Sequence, residues 1–149
     1  MTSRHIHFAD KTAQAALFET MILAAAADGR VTKDEVEEIY RRVFERPEFK
    51  GIQEGDLRQA IEHAATRVAE AHSLEHILPS IADRLPDQPT RELAFGLAAS
   101  VALADNRTPP AELRVLKALQ EMFDLDENTV ARLYETAQVH GQFPPTKAG

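Results

Sequence analysis

Four carboxylates recur as two pairs in this sequence, Asp28 with Glu35 and Asp105 with Glu112. Carboxylate oxygens are the ligands that hard cations such as Ca2+ and Mg2+ prefer, and a chain without cysteine offers no thiolate to a softer metal. The pattern therefore predicts one acidic site that holds a divalent cation, with Ca2+ or Mg2+ favoured. Because four carboxylates exceed the charge of one divalent ion, we expect two ions or added positive charge from nearby arginines. A basic group from a protein partner is the alternative occupant.

The two acid pairs are part of a longer repeat in which equivalent residues stand 77 positions apart. The same offset relates Phe18 to Phe95 and Ile39 to Leu116. Each copy has the pattern of an alanine-rich helix, a tight acidic turn, and a second helix whose first turn carries a glutamate. We therefore expect two helix pairs, over about 17–46 and 94–123, related by an approximate two-fold axis. Two such units can place the four carboxylates near one another.

A purely structural interpretation of the acids competes with cation binding. The Asp-Gly turn at Asp28 is a common turn former, and Glu35 stands three residues after Thr32, which is the spacing of a capping box. Arg30 and Arg107 are placed to neutralise the acids in salt bridges. The second copy keeps both acids although it has lost the capping threonine, so turn and cap chemistry explain it less well. The loop is not an EF-hand, because position twelve counted from Asp28 is not a glutamate.

Apolar spacing and capping residues predict about seven helices and no strand, which makes the fold class all-α in a single bundle-like domain. The expected helices cover about 10–27, 32–47, 73–85, 90–104, 108–123 and 126–141, with a further helix between the second and fourth whose apolar face runs from Leu57 to Ala71. Thr32 and Ser73 are the expected caps of the second and fourth helices, and Leu113 is expected on the apolar face of the sixth. The fifth helix is apolar on more than one side, which indicates a central position. Its alanines should let it cross the first helix closely.

Length and composition fit one soluble domain over residues 1–149, with a core of about 10–140. We expect the N-terminal segment and the tail after Gly141 to be mobile. The N-terminus lacks the apolar run of a signal peptide and no stretch is long enough to span a bilayer, so we expect a cytoplasmic protein without membrane insertion. A formal net charge of -7 argues against a nucleic-acid partner and favours cationic ones.

The doubled Ala-Asp-Gly/Asn turn with its glutamate, in a helical chain of this size, resembles the TerB-like family of tellurite-resistance-associated proteins. The resemblance covers most of residues 10–140, and the family's domain is similar to the N-terminal region of a membrane-anchored DnaJ-type cochaperone. It implies an all-helical fold with internal pseudo-symmetry, clustered acids suspected of binding divalent cations, and a role in stress response or protein complexes. By position it assigns Asp28, Glu35, Asp105 and Glu112 to the cation site. Asn106 and the Pro-Pro pair after it depart from the family's pattern.

Three functions are compatible with these observations. The first is a non-catalytic helical module that binds a divalent cation and acts in stress (tellurite) response or in protein complexes. The second is a metal-free protein interaction domain that recognises a basic or helical partner. The third is a metal-assisted hydrolase that uses two of the carboxylates as general acid and base. It ranks last, because the sequence has no Gly-rich phosphate loop and neither Gly-x-Ser-x-Gly nor His-Glu-x-x-His.

Overall fold

The computed structural model describes residues 11–26, 32–44, 46–71, 73–102 and 110–140. Its helices are α1 (Lys11–Ala25), α2 (Lys33–Phe44), α3 (Glu54–Glu70), α4 (Leu74–Arg84), α5 (Gln88–Ala102), α6 (Pro110–Phe123) and α7 (Glu127–His140), with a short 3-10 helix, Pro47–Phe49, between α2 and α3. No strand occurs in these ranges. The predicted all-α fold class with seven helices is confirmed.

The sequence repeat is also a repeat of helix boundaries. α1 and α5 begin 77 positions apart and end 77 positions apart, and the same interval separates the first residues of α2 and α6. α1 and α5 pack extensively against each other, and each is also packed against the third helix of its own half, α3 or α7. Two similar helix pairs are therefore present at the predicted offset. Their relation by a two-fold axis stays a prediction.

α1 lies at the centre of the domain. Every residue from Ala16 to Ala24 is buried, so this helix is covered on all sides rather than along one stripe. α3, α4, α5 and α6 all pack against it. The alanines Ala94, Ala98 and Ala102 of α5 are buried too, as expected for a helix with small side chains that approaches α1. The predicted central position of α5 thus holds, and α1 shares it.

One phenylalanine in each half occupies the same place in the repeat and meets an aromatic partner. Phe18 of α1 stacks on Phe49 of the 3-10 helix, with 5.5 Å between ring centroids. Phe95 of α5 packs against Tyr134 of α7, with 5.7 Å between centroids. Both phenylalanines are fully buried. Aromatic pairs add about 0.5 to 1.5 kcal/mol beyond the area they bury, so each pair ties the first helix of a half to a later segment of that half.

Two side chains differ from the sequence-based expectations. Ser73 stands at the N-cap position of α4, but its hydroxyl makes no cap hydrogen bond, and its Oγ lies 3.4 Å from Nδ1 of His76 instead. Leu113, expected on the apolar face of α6, is 49% exposed. The buried face of α6 is centred on Leu116 and Leu119, and the helical period places Leu113 at the edge of that face.

The segment between α2 and α3 differs in form from what the sequence pattern indicates. α2 ends at Phe44, because Pro47 starts a 3-10 helix instead of continuing the α-helix. α3 begins at Glu54, one turn before Leu57, the first residue of its predicted apolar face. The apolar spacing marks only the part of this helix from Leu57 onward, because its first turn is polar and exposed. Both differences change the loop between α2 and α3 and leave the order of helices unchanged.

Candidate functional site

Of the four predicted cation ligands, the structure describes the side chain of Glu35. Asp28 and Asp105 lie outside the described residues, and Glu112 is placed in helix α6 without a described side chain. Glu35 and Glu112 are each the third residue of their helix, as the repeat predicts. A carboxylate in the first turn lies near the positive end of the helix dipole, so both positions favour negative charge.

Glu35 forms the capping box that its spacing from Thr32 predicts. The backbone N–H of Thr32 donates to Oε1 of Glu35 at 2.9 Å, and the backbone N–H of Glu35 donates to Oγ1 of Thr32 at 3.1 Å. These reciprocal bonds satisfy two donors that the helix itself leaves unpaired. Oε2 of Glu35 makes no hydrogen bond to a described residue. Capping therefore orients this carboxylate at the start of α2 and uses one of its two oxygens.

A groove of about 240 Å3 lies at one end of the helix bundle. Its described walls are Leu23 and Ala26 at the end of α1, Val68 and Ala71 at the end of α3, Ser73, Leu74 and Ile77 at the start of α4, and Ala111, Arg114 and Val115 at the start of α6. α1 ends shortly before the first acidic turn in the sequence, and α6 begins shortly after the second. The helix ends that adjoin the two turns therefore share one groove.

No second cluster of metal ligands competes with the four acids in the described part of the chain. Within the described ranges, no group of three or more His, Asp or Glu side chains is placed to hold a metal ion. The sequence contains no cysteine. The candidate cation site therefore remains the one that the sequence predicts. The side chain of one of its four ligands, Glu35, is among the described residues.

A buried arginine lies on the face of α2 that carries Glu35. Glu35, Glu38 and Arg42 follow one another at intervals of three and four residues, which places them on one side of the helix. The side chain of Arg42 is 7% exposed, and its Nη2 lies 3.0 Å from Oε2 of Glu38. Nε and Nη2 of Arg42 still lack hydrogen bonds of good geometry to any described residue. The guanidinium of Arg42 thus lies on the same face of α2 as the carboxylate of Glu35.

Glu19 of α1 is a buried carboxylate that the sequence analysis did not single out. Its side chain is 1% exposed, and Arg84 of α4 donates to both of its oxygens, from Nη2 to Oε1 at 2.6 Å and from Nη1 to Oε2 at 3.0 Å. Nε of Arg67 in α3 lies 3.3 Å from Oε2. The cluster joins three helices and encloses the carboxylate, so its role is structural. The sequence signal that could have identified it is a single acid in a mainly apolar segment.

An ion pair with an aromatic neighbour joins α2 to α3. Arg58 donates to the two carboxylate oxygens of Glu37 at 2.7 and 3.1 Å, and its guanidinium lies 4.2 Å from the centre of the Tyr40 ring. The hydrogen bonds from Arg58 lower the pKa of Glu37, and burial is the largest cause that raises the pKa of Tyr40. None of the three residues lines the groove. We therefore assign the cluster to helix packing rather than to catalysis.

The fold and the repeated acid positions define a small helical module built from two similar helix pairs. The sequence model of a family described as tellurite resistance protein TerB matches residues 13–135, which is most of the chain. The chain therefore belongs to the TerB family and is a helical module of the kind associated with tellurite resistance. No curated protein and no solved structure matched the chain. The relation to a DnaJ-type cochaperone stays a prediction.

None of the described helices is both long enough and apolar enough to cross a membrane.

Proposed function

We propose that this protein is a non-catalytic module that binds a divalent cation through Asp28, Glu35, Asp105 and Glu112. We further propose that it acts in the stress (tellurite) response as part of a protein complex. The observation that supports cation binding most is that the end of α1 and the start of α6, which adjoin the two acidic turns in sequence, lie together at one end of the bundle. Membership of the TerB family supports the tellurite link.

Glu35 supplies a second line of support. The capping box already holds its carboxylate at the helix start, and Oε2 has no described hydrogen-bond partner. A ligand oriented before the cation arrives loses less conformational freedom on binding. A hard cation such as Ca2+ or Mg2+ suits an all-oxygen ligand set. A cation bound by acids from both halves would join the α1–α2 pair to the α5–α6 pair.

The test measures cation binding by the intact chain after treatment with a chelator. Calorimetry and thermal melts with Ca2+, Mg2+, Mn2+ and Zn2+ should show binding and a rise in melting temperature for the wild type. Free cation at 100 times its Kd should add about 2.7 kcal/mol to the free energy of unfolding. The Asp28→Asn/Asp105→Asn double variant should lose both effects.

A matched control carries the same change of charge elsewhere. Asp56 in α3 and Asp83 in α4 are exposed, so the Asp56→Asn/Asp83→Asn double variant should bind cations like the wild type. Absence of binding by the wild type, or equal binding by the Asp28→Asn/Asp105→Asn variant, would remove the cation from the proposal.

The metal-free interaction domain is the second candidate, and the capping box favours it. In that case Glu35 is present to begin α2 and the acids serve turns and salt bridges. Glu35→Gln separates the two candidates, because glutamine also completes a capping box but removes the charge. Weaker cation binding with an unchanged melting temperature in the chelator supports the cation site. Unchanged cation affinity would assign Glu35 to capping alone.

A further inference from the structure

The groove at the bundle end has walls that are mainly apolar. Leu23, Val68 and Ile77 come from three different helices, and Val115 from a fourth. Leu23, Ile77 and Val115 are buried, and Val68 is partly buried, so the walls belong to the packed core rather than to a mobile surface. Apolar walls of this kind favour a ligand that brings apolar surface out of water.

One charged side chain, Arg114, stands among the described walls. Arg114 is exposed, and it forms no ion pair with a described acidic side chain. Its guanidinium can offer two parallel N–H donors to a carboxylate, and such charge-assisted hydrogen bonds are among the stronger ones in proteins. The first turns of α4 and α6 also lie at the groove, and helix starts favour negative charge. The described walls of the groove are therefore complementary to one negative charge attached to an apolar body.

The size and surroundings of the groove favour a small ligand over a protein surface. A volume of about 240 Å3 lies below the ~300 to 1,000 Å3 typical of sites for drug-sized molecules. Stable protein interfaces need on the order of 800 Å2 on each side, with an apolar centre. The exposed large apolar residues of the described chain, Phe44 and Leu113, do not line this groove. The exposed Glu70 and Glu75, next in sequence to groove residues, would repel an extended acidic surface.

We propose that the groove binds a small amphiphilic carboxylate, a molecule with one short acyl chain and one carboxylate. The acyl chain lies between α1, α3 and α4, and the carboxylate pairs with Arg114. This site uses the apolar walls of the groove and Arg114, whereas the proposed cation ligands are the four acids of the turns that adjoin the groove in sequence.

The test uses octanoate as the probe, with octylammonium and octan-1-ol as matched ligands of the same chain length. All titrations are made in EDTA, so that a carboxylate cannot bind through a divalent cation. Octanoate should bind saturably, and at least roughly tenfold more tightly than octylammonium, the ratio that a single charge-assisted hydrogen bond supplies. Amide NMR shifts should be largest at Ala71, Leu74 and Arg114.

Two variants locate the binding site. Arg114→Gln should weaken octanoate binding roughly tenfold and leave octanol binding unchanged, whereas Arg132→Gln on the exposed side of α7 should change neither. Ala71→Leu adds a larger side chain to the groove wall and should weaken all of the ligands, while Ala71→Ser, which is close in size, should retain octanoate binding. Thermal melts show that each variant is folded before it is titrated.

Three results would overturn the proposal: no saturable binding of octanoate, equal binding of octanoate and octylammonium, or unchanged octanoate affinity in Arg114→Gln. A further arm uses N-acetyl-Leu-Leu with a free carboxylate. Tighter binding of this peptide than of octanoate would assign the groove to peptide binding and would also overturn the proposal of an amphiphilic carboxylate ligand. Because every titration is made without divalent cations, none of these results bears on the acidic turns.

Discussion

The two halves of the domain use the same helix position in opposite ways. Glu19 of α1 and Gly96 of α5 are equivalent in the repeat, and both helices lie in the core. Glu19 is enclosed by Arg84 and Arg67, whereas at Gly96 a side chain of α7 comes close, with Cδ2 of Leu133 3.7 Å from where a Cβ would stand. The first half has α4 after its third helix, and no described helix follows α7. A repeat thus preserves helix positions while each residue adapts to its neighbours.

The second helices of the halves differ in the same manner. Glu38 and Arg42 of α2 correspond to Val115 and Leu119 of α6, and the two apolar residues are buried. α6 packs against α5, α1 and α4, whereas α2 packs against α1 and α3. α6 thus has one more neighbouring helix than α2, and its Val115 and Leu119 are apolar where α2 has the ion pair of Glu38 and Arg42.

The largest expected effect is the loss of the buried carboxylate. Glu19→Ala should lower the free energy of unfolding by about 3 kcal/mol, because it leaves Arg84 and Arg67 without their buried partner. Chemical denaturation measures this loss. The control is Glu92→Ala in α5, whose partner Arg132 is 3.8 Å away and largely exposed, and it should cost under about 1 kcal/mol. Equal losses in the two variants would show that the Glu19 cluster contributes no more than a surface pair.

An intermediate effect of opposite sign is expected at the equivalent position of the second half. Gly96→Ala should stabilise the protein by about 0.5 to 1 kcal/mol, because alanine restricts the unfolded chain and its Cβ meets Leu133 at an ordinary contact distance. Thermal and chemical denaturation both report the change. If Gly96→Ala is destabilised, the packing of Leu133 leaves no room for a Cβ at position 96. The contrast with Glu19 would then be one of close packing rather than of charge.

The smallest expected effect is on the pH dependence of stability, and it concerns the starts of α3 and α7, the third helices of the two halves. The backbone N–H of Thr129 donates to Oδ1 of Asp126 at 2.8 Å at the start of α7, and this hydrogen bond is the largest cause that lowers the pKa of Asp126. Gln53 at the start of α3 makes no side-chain cap. Since the folded pKa of Asp126 is the lower one, its contribution to stability is present above the unfolded pKa and is lost as pH falls through the folded pKa.

The Asp126 prediction is tested by denaturation at neutral and acidic pH. Asp126→Asn keeps a capping oxygen without the charge, so it should reduce the loss of stability on acidification. Gln53→Asp should add a loss of the same kind at α3. An unchanged pH dependence in both variants would show that the charge of Asp126 has no part in the difference between the two helices.

Helix content, the repeat and the start of α2 were predictable, because they depend on residues close together in the sequence. The 77-residue offset gave the bounds of α1 and α5 relative to each other, and Thr32 with Glu35 gave the capping box. The first-turn positions of Glu35 and Glu112 were predictable for the same reason. The lack of a cap hydrogen bond from Ser73 was not predictable, because the hydroxyl of a serine at an N-cap can turn to another neighbour, here His76.

The sequence by itself determined that this chain is all-helical, that it repeats a helix pair, and that it carries the pattern of the TerB family. Such signals repeat every few residues or at a fixed offset, so they can be read without knowing which helices touch. Only the tertiary structure decided that Glu19 meets Arg84, 65 residues away, and that four helix ends enclose a groove with Arg114 among its walls. Those contacts depend on how helices pack across the whole domain, and several packings satisfy the same apolar periodicity.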